Sequence, residues 1–187
     1  RLESFLSDTH AREQIVDVAL GLDESGKFLS LDVKITANLG AHIGPSTIHP
    51  VVSNIGGITG VYDISASHVL VEGVFSNTQN VSPYRGAGRP EATYIIERMI
   101  DIAAEKLGFD KVELRRRNMI RPEQMPFKTG LVFTYDSGDF PGLLDTALSA
   151  ANWAGFDDRR IASKSRGRIR GFGIANPIEI AGGPEQK

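Results

Sequence analysis

Residues 81–92 read V-S-P-Y-R-G-A-G-R-P-E-A and gather the groups in this chain best suited to chemistry. Gly86 and Gly88 lack a Cβ, so the backbone there can take positive φ or come very close to a ligand. Pro90 suits the first turn of a helix, where its missing N–H costs nothing. The free amides of such a turn and the positive end of the helix dipole both favour an anion. Arg85 and Arg89 add fixed charge and planar donors. The stretch reads as a place where backbone amides and an arginine meet an anionic or oxo-bearing ligand. The plainer reading is a strand-to-helix turn with two solvated arginines. Glu91 stands where a dinucleotide fingerprint needs its third glycine, and no Lys-Ser/Thr follows to make a P-loop.

Other candidates carry weaker signals. His42 and His49 lie seven apart in a Gly/Ser/Thr-rich stretch without a third ligand of known pattern, so they read as ordinary loop residues. Asp136 and Asp139 stand close together, but helix capping accounts for them without a catalytic role. Arg115, Arg116 and Arg117 could bind phosphate or RNA. No aromatic residue interleaves them, which favours helix-end charge or a polar interface. No cysteine is present, which excludes disulfides, thiolate zinc sites, cysteine-held iron–sulfur clusters and a cysteine nucleophile within this chain.

These groups need a scaffold. Residues 14–22 and 28–39 alternate apolar and polar side chains around a D-E-S-G turn, so 14–39 reads as a β-hairpin. Residues 40–60 form a Gly/Pro/Ser/Thr-rich loop, and 55–61 suit either a loop or a short helix packed closely at its glycines. Residues 68–77 read as a strand that feeds the loop at 81–92. Helical spacing follows over 90–107, with Ile95, Met99, Ile102, Ala103 and Lys106 as a stripe widened by Ile96, Ile100 and Leu107. Gly108 is a sound helix stop, and Asp110 caps a second helix over 110–119. A Pro- and Gly-bearing connection leads to an amphipathic helix at 140–153, and 168–180 read as a final strand. Gly171 and Gly173 in it suggest close packing or a bulge. The order gives an α+β fold, a mixed β-sheet with packed helices, rather than a regular βαβ alternation.

With 187 residues the chain can bury a sizeable core. Its 41% hydrophobic and 24% charged residues are ordinary for a globular protein, and a net charge of −2 invites neither nucleic acid nor an anionic membrane. No apolar stretch reaches membrane-spanning length. The chain opens at Arg1 without a methionine and closes in a polar tail, so it reads as a piece of a longer protein.

The run P-Y-R-G-A-G-R-P-E-A at 83–92 resembles the large, molybdenum-binding subunit of the xanthine dehydrogenase and aldehyde oxidase family. Within it, the match is best to the carbon monoxide dehydrogenase large-subunit-like group, form II. The likeness extends over essentially the whole chain. R-L-E-S-F-L-S-D-T-H-A-R at 1–12, A-N-L-G-A at 37–41 and R-R-R-N-M-I at 115–120 belong to it, as do T-Y-D-S-G-D-F at 134–140 and R-G-F-G-I-A-N-P-I-E at 170–179.

The resemblance implies that 1–187 form part of a molybdopterin-binding domain. It implies a molybdenum–molybdopterin cofactor in its cytosine dinucleotide form and hydroxylation of a small-molecule carbon with oxygen from water. Electrons would pass to 2Fe-2S clusters and FAD on separate small and medium subunits, in an oligomer of heterotrimers in the cytoplasm. Arg85, Gly86, Ala87 and Gly88 would face the cofactor.

Carbon monoxide dehydrogenases hold copper on a cysteine directly after this arginine; here Gly86 takes that place, so no copper is expected. Purine hydroxylases place an aromatic residue where Ala87 stands and an upstream arginine where Ser53 stands. Ser53 and Ala87 therefore mark a substrate pocket fitted to an aldehyde or N-heterocycle rather than a purine. The family's G-x-G-E segment, whose glutamate acts as base, has no counterpart here, and neither Glu91 nor Glu179 matches it. The catalytic base is thus unknown, and the chain alone is expected to be inactive. Two alternatives remain: a non-catalytic scaffold of the same fold, and a nucleotide-binding domain using residues 86–91.

Overall fold

The structure is a computed structural model describing residues 2–53 and 55–179. A short exposed helix α1 (Leu2–Ser7) precedes the hairpin of β1 (Gln14–Leu22) and β2 (Phe28–Gly40). Asp23 fastens the turn between them, its Oδ1 accepting from the N–H groups of Ser25 at 2.8 Å and Lys27 at 3.0 Å. A connection with helix α2 (His49–Val52) and one 3-10 turn (Ile55–Gly57) leads to β3 (Ala66–Phe75). The sheet order is β1-β2-β3, with β1 antiparallel and β3 parallel to the central β2.

Alternation along β2 sorts its side chains by face. Leu31, Val33, Ile35 and Ala37 are buried, whereas Asp32 and Lys34 face solvent. The polar face is laced by His68 beside Asp32 at 2.8 Å and Lys34 beside Glu72 at 2.9 Å. The apolar face receives α3 (Arg89–Leu107), which buries Ala92, Ile95, Ile96, Ile100, Ala103 and Ala104. Met99 and Ile102 are only half-buried, so the packed stripe of α3 is rotated from the one its sequence suggests. The reason lies in Glu97, which the fold buries beside Ile96 and Ile100 because it has a partner there.

Gly108 ends α3 in a left-handed conformation with φ 78°. Asp110 then caps α4 (Lys111–Asn118), accepting from Val112 N at 2.8 Å and Glu113 N at 2.9 Å. Asn118 closes α4 onto the hairpin turn: its Oδ1 accepts from Phe28 N and its Nδ2 donates to Gly26 O, both at 2.8 Å. The connection after α4 holds a two-stranded ribbon, β4 (Phe127–Lys128) and β5 (Thr134–Tyr135). Helix α5 (Phe140–Ala150) is capped by Asp139, whose Oδ1 accepts from Gly142 N at 2.9 Å. A 3-10 turn (Trp153–Gly155) and α6 (Phe156–Lys164) follow, so the continuous helix expected over 140–153 stops at Ala150, and Asn152 turns left-handed with φ 46°.

The expected strand at 168–180 does not form among its described residues, 168–179; Ile180 lies outside them. Among the described residues the segment joins neither sheet, and some of its backbone groups bond to side chains instead. Glu97 Oε1 accepts from Asn176 N at 3.1 Å, and Arg115 Nη2 donates to Ile174 O at 3.4 Å. Nor do Gly171 and Gly173 pack closely, since a Cβ at either would meet nothing within 4 Å. Ile174 and Ile178 pack against the core, and Phe172 lies 4.6 Å from the Trp153 ring centre and 4.2 Å from that of Phe156.

Candidate cofactor-facing loop

The loop is positioned from the end of β2 outward. Asn38 gathers four partners: its Nδ2 donates to Glu13 at 2.7 Å and Thr78 at 2.9 Å, and its Oδ1 accepts from Gly40 N and Ser76 Oγ, each at 2.8 Å. Gly40 lets residues 79–80 lie against the strand, for a Cβ there would sit 2.4 Å from Gln79 O. These contacts explain the A-N-L-G-A stretch. The chain then bridges to the N-terminal segment, His10 N donating to Asn80 O at 3.0 Å and Ser82 N to His10 O at 2.8 Å.

Three consecutive left-handed residues follow: Gly86 with φ 95°, Ala87 with φ 42° and Gly88 with φ 99°. The turn is held by Ala87 N donating to Tyr84 O at 2.7 Å and Arg89 N to Gly86 O at 3.0 Å. Gly88 is the N-cap of α3 and offers no side chain to its first turn. Among the described residues, the N–H groups of Arg85, Gly86 and Gly88 meet no acceptor. The Arg85 side chain is exposed and has no partner among those residues. Unpaired amides, a helix start and a guanidinium without a partner among the described residues thus lie within one short loop, groups of the kind that suit an anionic or oxo-bearing ligand. A cleft of about 570 Å³ opens beside the loop, lined by Gly86, Arg89, Tyr94 and Arg98 on one side and by Ile174 and Ile178 on the other.

Two carbonyls of the loop are turned toward the protein and held there. Ser53 Oγ donates to Ala87 O, which brings together the two residues expected to flank a substrate pocket. Arg12 Nη2 donates to Arg85 O, and the same guanidinium lies 5.4 Å from the Tyr84 ring centre and 3.6 Å from Glu91 Oε2. The sequence singled out neither Arg12 nor this grip. Its one local trace is the length of the 1–12 motif, since the contacts span more than seventy residues.

Arg89, the second loop arginine, is committed to an ion pair with Glu179. His42 and His49 join no metal set: among the described residues no group of three or more His, Cys, Asp or Glu could hold a metal ion. Arg115 belongs to the interior. It is fully buried, donating Nε to Glu97 at 2.8 Å and Nη2 to Asp101 at 2.9 Å. Burial opposes its charge, but Glu97, Tyr62 and Asp101 outweigh that and raise its pKa. Tyr62 donates to Glu97 at 2.6 Å, and burial followed by the Glu97 charge pushes the phenol pKa upward.

The geometry defines a class: an α+β domain with a glycine-rich, left-handed loop at the start of its central helix. Residues 1–119 match the molybdopterin cofactor-binding domain family, and the chain belongs to it. It is 34% identical over 189 residues to the 6-hydroxypseudooxynicotine dehydrogenase complex subunit gamma of Paenarthrobacter nicotinovorans, covering 97% of this chain and 24% of that protein. It is also 34% identical over 195 residues to the carbon monoxide dehydrogenase large chain of Hydrogenophaga pseudoflava, covering 100% and 24%. Among solved structures, quinoline 2-oxidoreductase from Pseudomonas putida 86 superposes with a TM-score of 0.80 at 30% identity, over 88% of this chain and 21% of that one. The chain thus spans about a quarter of the length of these relatives. No helix among the described residues is long and apolar enough to cross a membrane.

Proposed function

We propose that this chain is part of the catalytic large subunit of a molybdenum hydroxylase, and that Arg85, Gly86, Ala87 and Gly88 form one wall of its cofactor site. The observation that carries the reading is the left-handed run 86–88 at the start of α3, where, among the described residues, amide donors and the neighbouring Arg85 side chain have no partner. Donors of this kind suit the oxo and phosphate oxygens of a molybdopterin group. When bound, that group supplies a two-electron oxidation in which water provides the oxygen. The protein's part is orientation: Arg85 and the loop amides hold polar ligands of the cofactor, while Ser53 fixes Ala87 on the substrate side.

The finer features follow from the same reading. The pterin carries cytosine dinucleotide, and partner subunits with 2Fe-2S clusters and FAD accept the electrons in a cytoplasmic oligomer of heterotrimers. The substrate is an aldehyde or an N-heterocycle; a nicotine 6-hydroxylase and a quinoline 2-oxidoreductase among the similar proteins support the second, though carbon monoxide dehydrogenase large chains are similar too. Copper is not expected: a Cβ at Gly86 would lie 2.6 Å from Pro90 Cγ, so this conformation leaves no room for a metal-holding side chain.

Elemental analysis of the full-length subunit with its native partners tests the proposal. Molybdenum without copper supports it; absence of both metals shifts the assignment to a non-catalytic scaffold. In the same enzyme Arg85→Ala is expected to lower turnover at least tenfold (roughly the loss of one charged donor) while the melting temperature holds. Wild-type turnover and molybdenum content in that variant would overturn the role of Arg85.

A further inference from the structure

We propose that Arg12 is a positioning residue that pre-organises the loop 84–88, holding the Arg85 carbonyl inward so that the loop amides face the ligand. The inference rests on the reading that this loop meets the cofactor, and it names a residue outside the loop that makes it competent. Arg12 itself has φ 66°, a conformation uncommon for a side-chain-bearing residue and worth a functional explanation. Its guanidinium meets three loop and helix-start residues at once: the carbonyl of Arg85, the ring face of Tyr84 and the carboxylate of Glu91. These contacts straddle the left-handed run, so one planar group fixes both ends of it.

The Glu91 contact has a second consequence. Glu91 Oε2 is buried and accepts no hydrogen bond, and Arg12 Nη1, 3.6 Å away, is the cation paired with it among the described residues. An uncompensated carboxylate in the first turn of α3 would oppose the anion that the helix start attracts. Arg12 therefore does two jobs: it orients the Arg85 carbonyl and masks the Glu91 charge. Lysine can supply the charge but not a planar group that bonds and stacks together.

The test uses the full-length subunit with its native partners, as wild type, Arg12→Ala and Arg12→Lys. Amide hydrogen exchange at Ala87 and Arg89, whose N–H groups close the turn, reports loop order without reference to any metal. Both variants are expected to exchange these amides faster, Arg12→Ala by on the order of tenfold, with β2 amides unchanged. Molybdenum content is expected to drop in Arg12→Ala, and the molybdenum electron-spin signal to change shape in both variants. Unchanged exchange at Ala87 and Arg89 overturns the proposal. So does a uniform rise that includes β2, which would mark a general stability role, and so does full restoration by lysine, which would leave charge alone. If the wild type holds no molybdenum, the functional assignment fails, while the exchange measurement still decides whether Arg12 orders the loop.

Discussion

At the scale of single residues, the loop shows how conformation restricts chemistry. Gly86 stands at φ 95° with the Pro90 ring where its Cβ would be, so any side chain must strain the backbone and displace the ring. Gly86→Ala is expected to cost about 1–3 kcal/mol, read from urea denaturation. An unchanged midpoint would show that the loop relaxes freely. Ala87 shares the left-handed region with φ 42°, and Ser53 offsets that conformation by bonding its carbonyl. The sequence marked Arg85 through Gly88 because glycine and arginine advertise their uses. It gave equal notice to Arg89, and only the fold shows that Glu179 pairs with that arginine while Arg85 has no partner among the described residues.

Among the elements, α3 does most to connect scaffold and site. Its first turn presents the loop, and its middle is pinned by a buried polar set: Glu97 and Asp101 from α3, Arg115 from α4, Tyr62 from the connection before β3, and Asn176 from the C-terminal segment. Deleting one member leaves a buried charge without its partner. Arg115→Ala is expected to destabilise the protein by about 3–5 kcal/mol. A thermal midpoint equal to wild type would show that water replaces the guanidinium. The apolar side of the same helix offers a matched comparison. Ile100 is fully buried, so Ile100→Asp should destabilise by several kcal/mol, whereas Met99→Asp, at a half-buried site, should cost less. Equal losses would contradict the observed rotation of the stripe. Periodicity located this helix and part of its seam, Ile95, Ile96, Ile100 and Ala103, but not Glu97, because a paired glutamate can face inward as readily as an isoleucine.

Across the whole molecule, distant segments converge on the loop's support. The N-terminal motif delivers Arg12, the connection after β2 delivers Ser53, and the ribbon β4–β5 braces that connection through Tyr135, which donates to Gly60 O at 2.8 Å. Burial pushes the Tyr135 pKa up to about 12, above the value of about 10 that an unfolded chain allows. The folded state therefore holds this proton more tightly. Its contribution is complete below about pH 10 and is lost as pH rises toward 12. Near-ultraviolet phenolate absorbance should show one late tyrosine step in that window, with stability falling across it. Removal of the step in Tyr135→Phe would confirm the assignment, and its persistence would refute it.

The sequence by itself determined the local pieces. Alternation marked the hairpin, helical spacing and Asp110 marked the two central helices, and glycine, proline and arginine marked the loop, because each signal is carried by neighbouring residues. The family resemblance was likewise legible, since it resides in short motifs, and the match over residues 1–119 agrees with it. The final strand was misjudged because an apolar run becomes a strand only when an edge lies beside it. The tertiary structure alone decided that 174–179 lie beside α3, that Arg115 lies inside, and that Arg12 reaches the loop. Each of these depends on partners far away in the chain, where pairing, burial and charge compensation are settled by packing rather than by spacing.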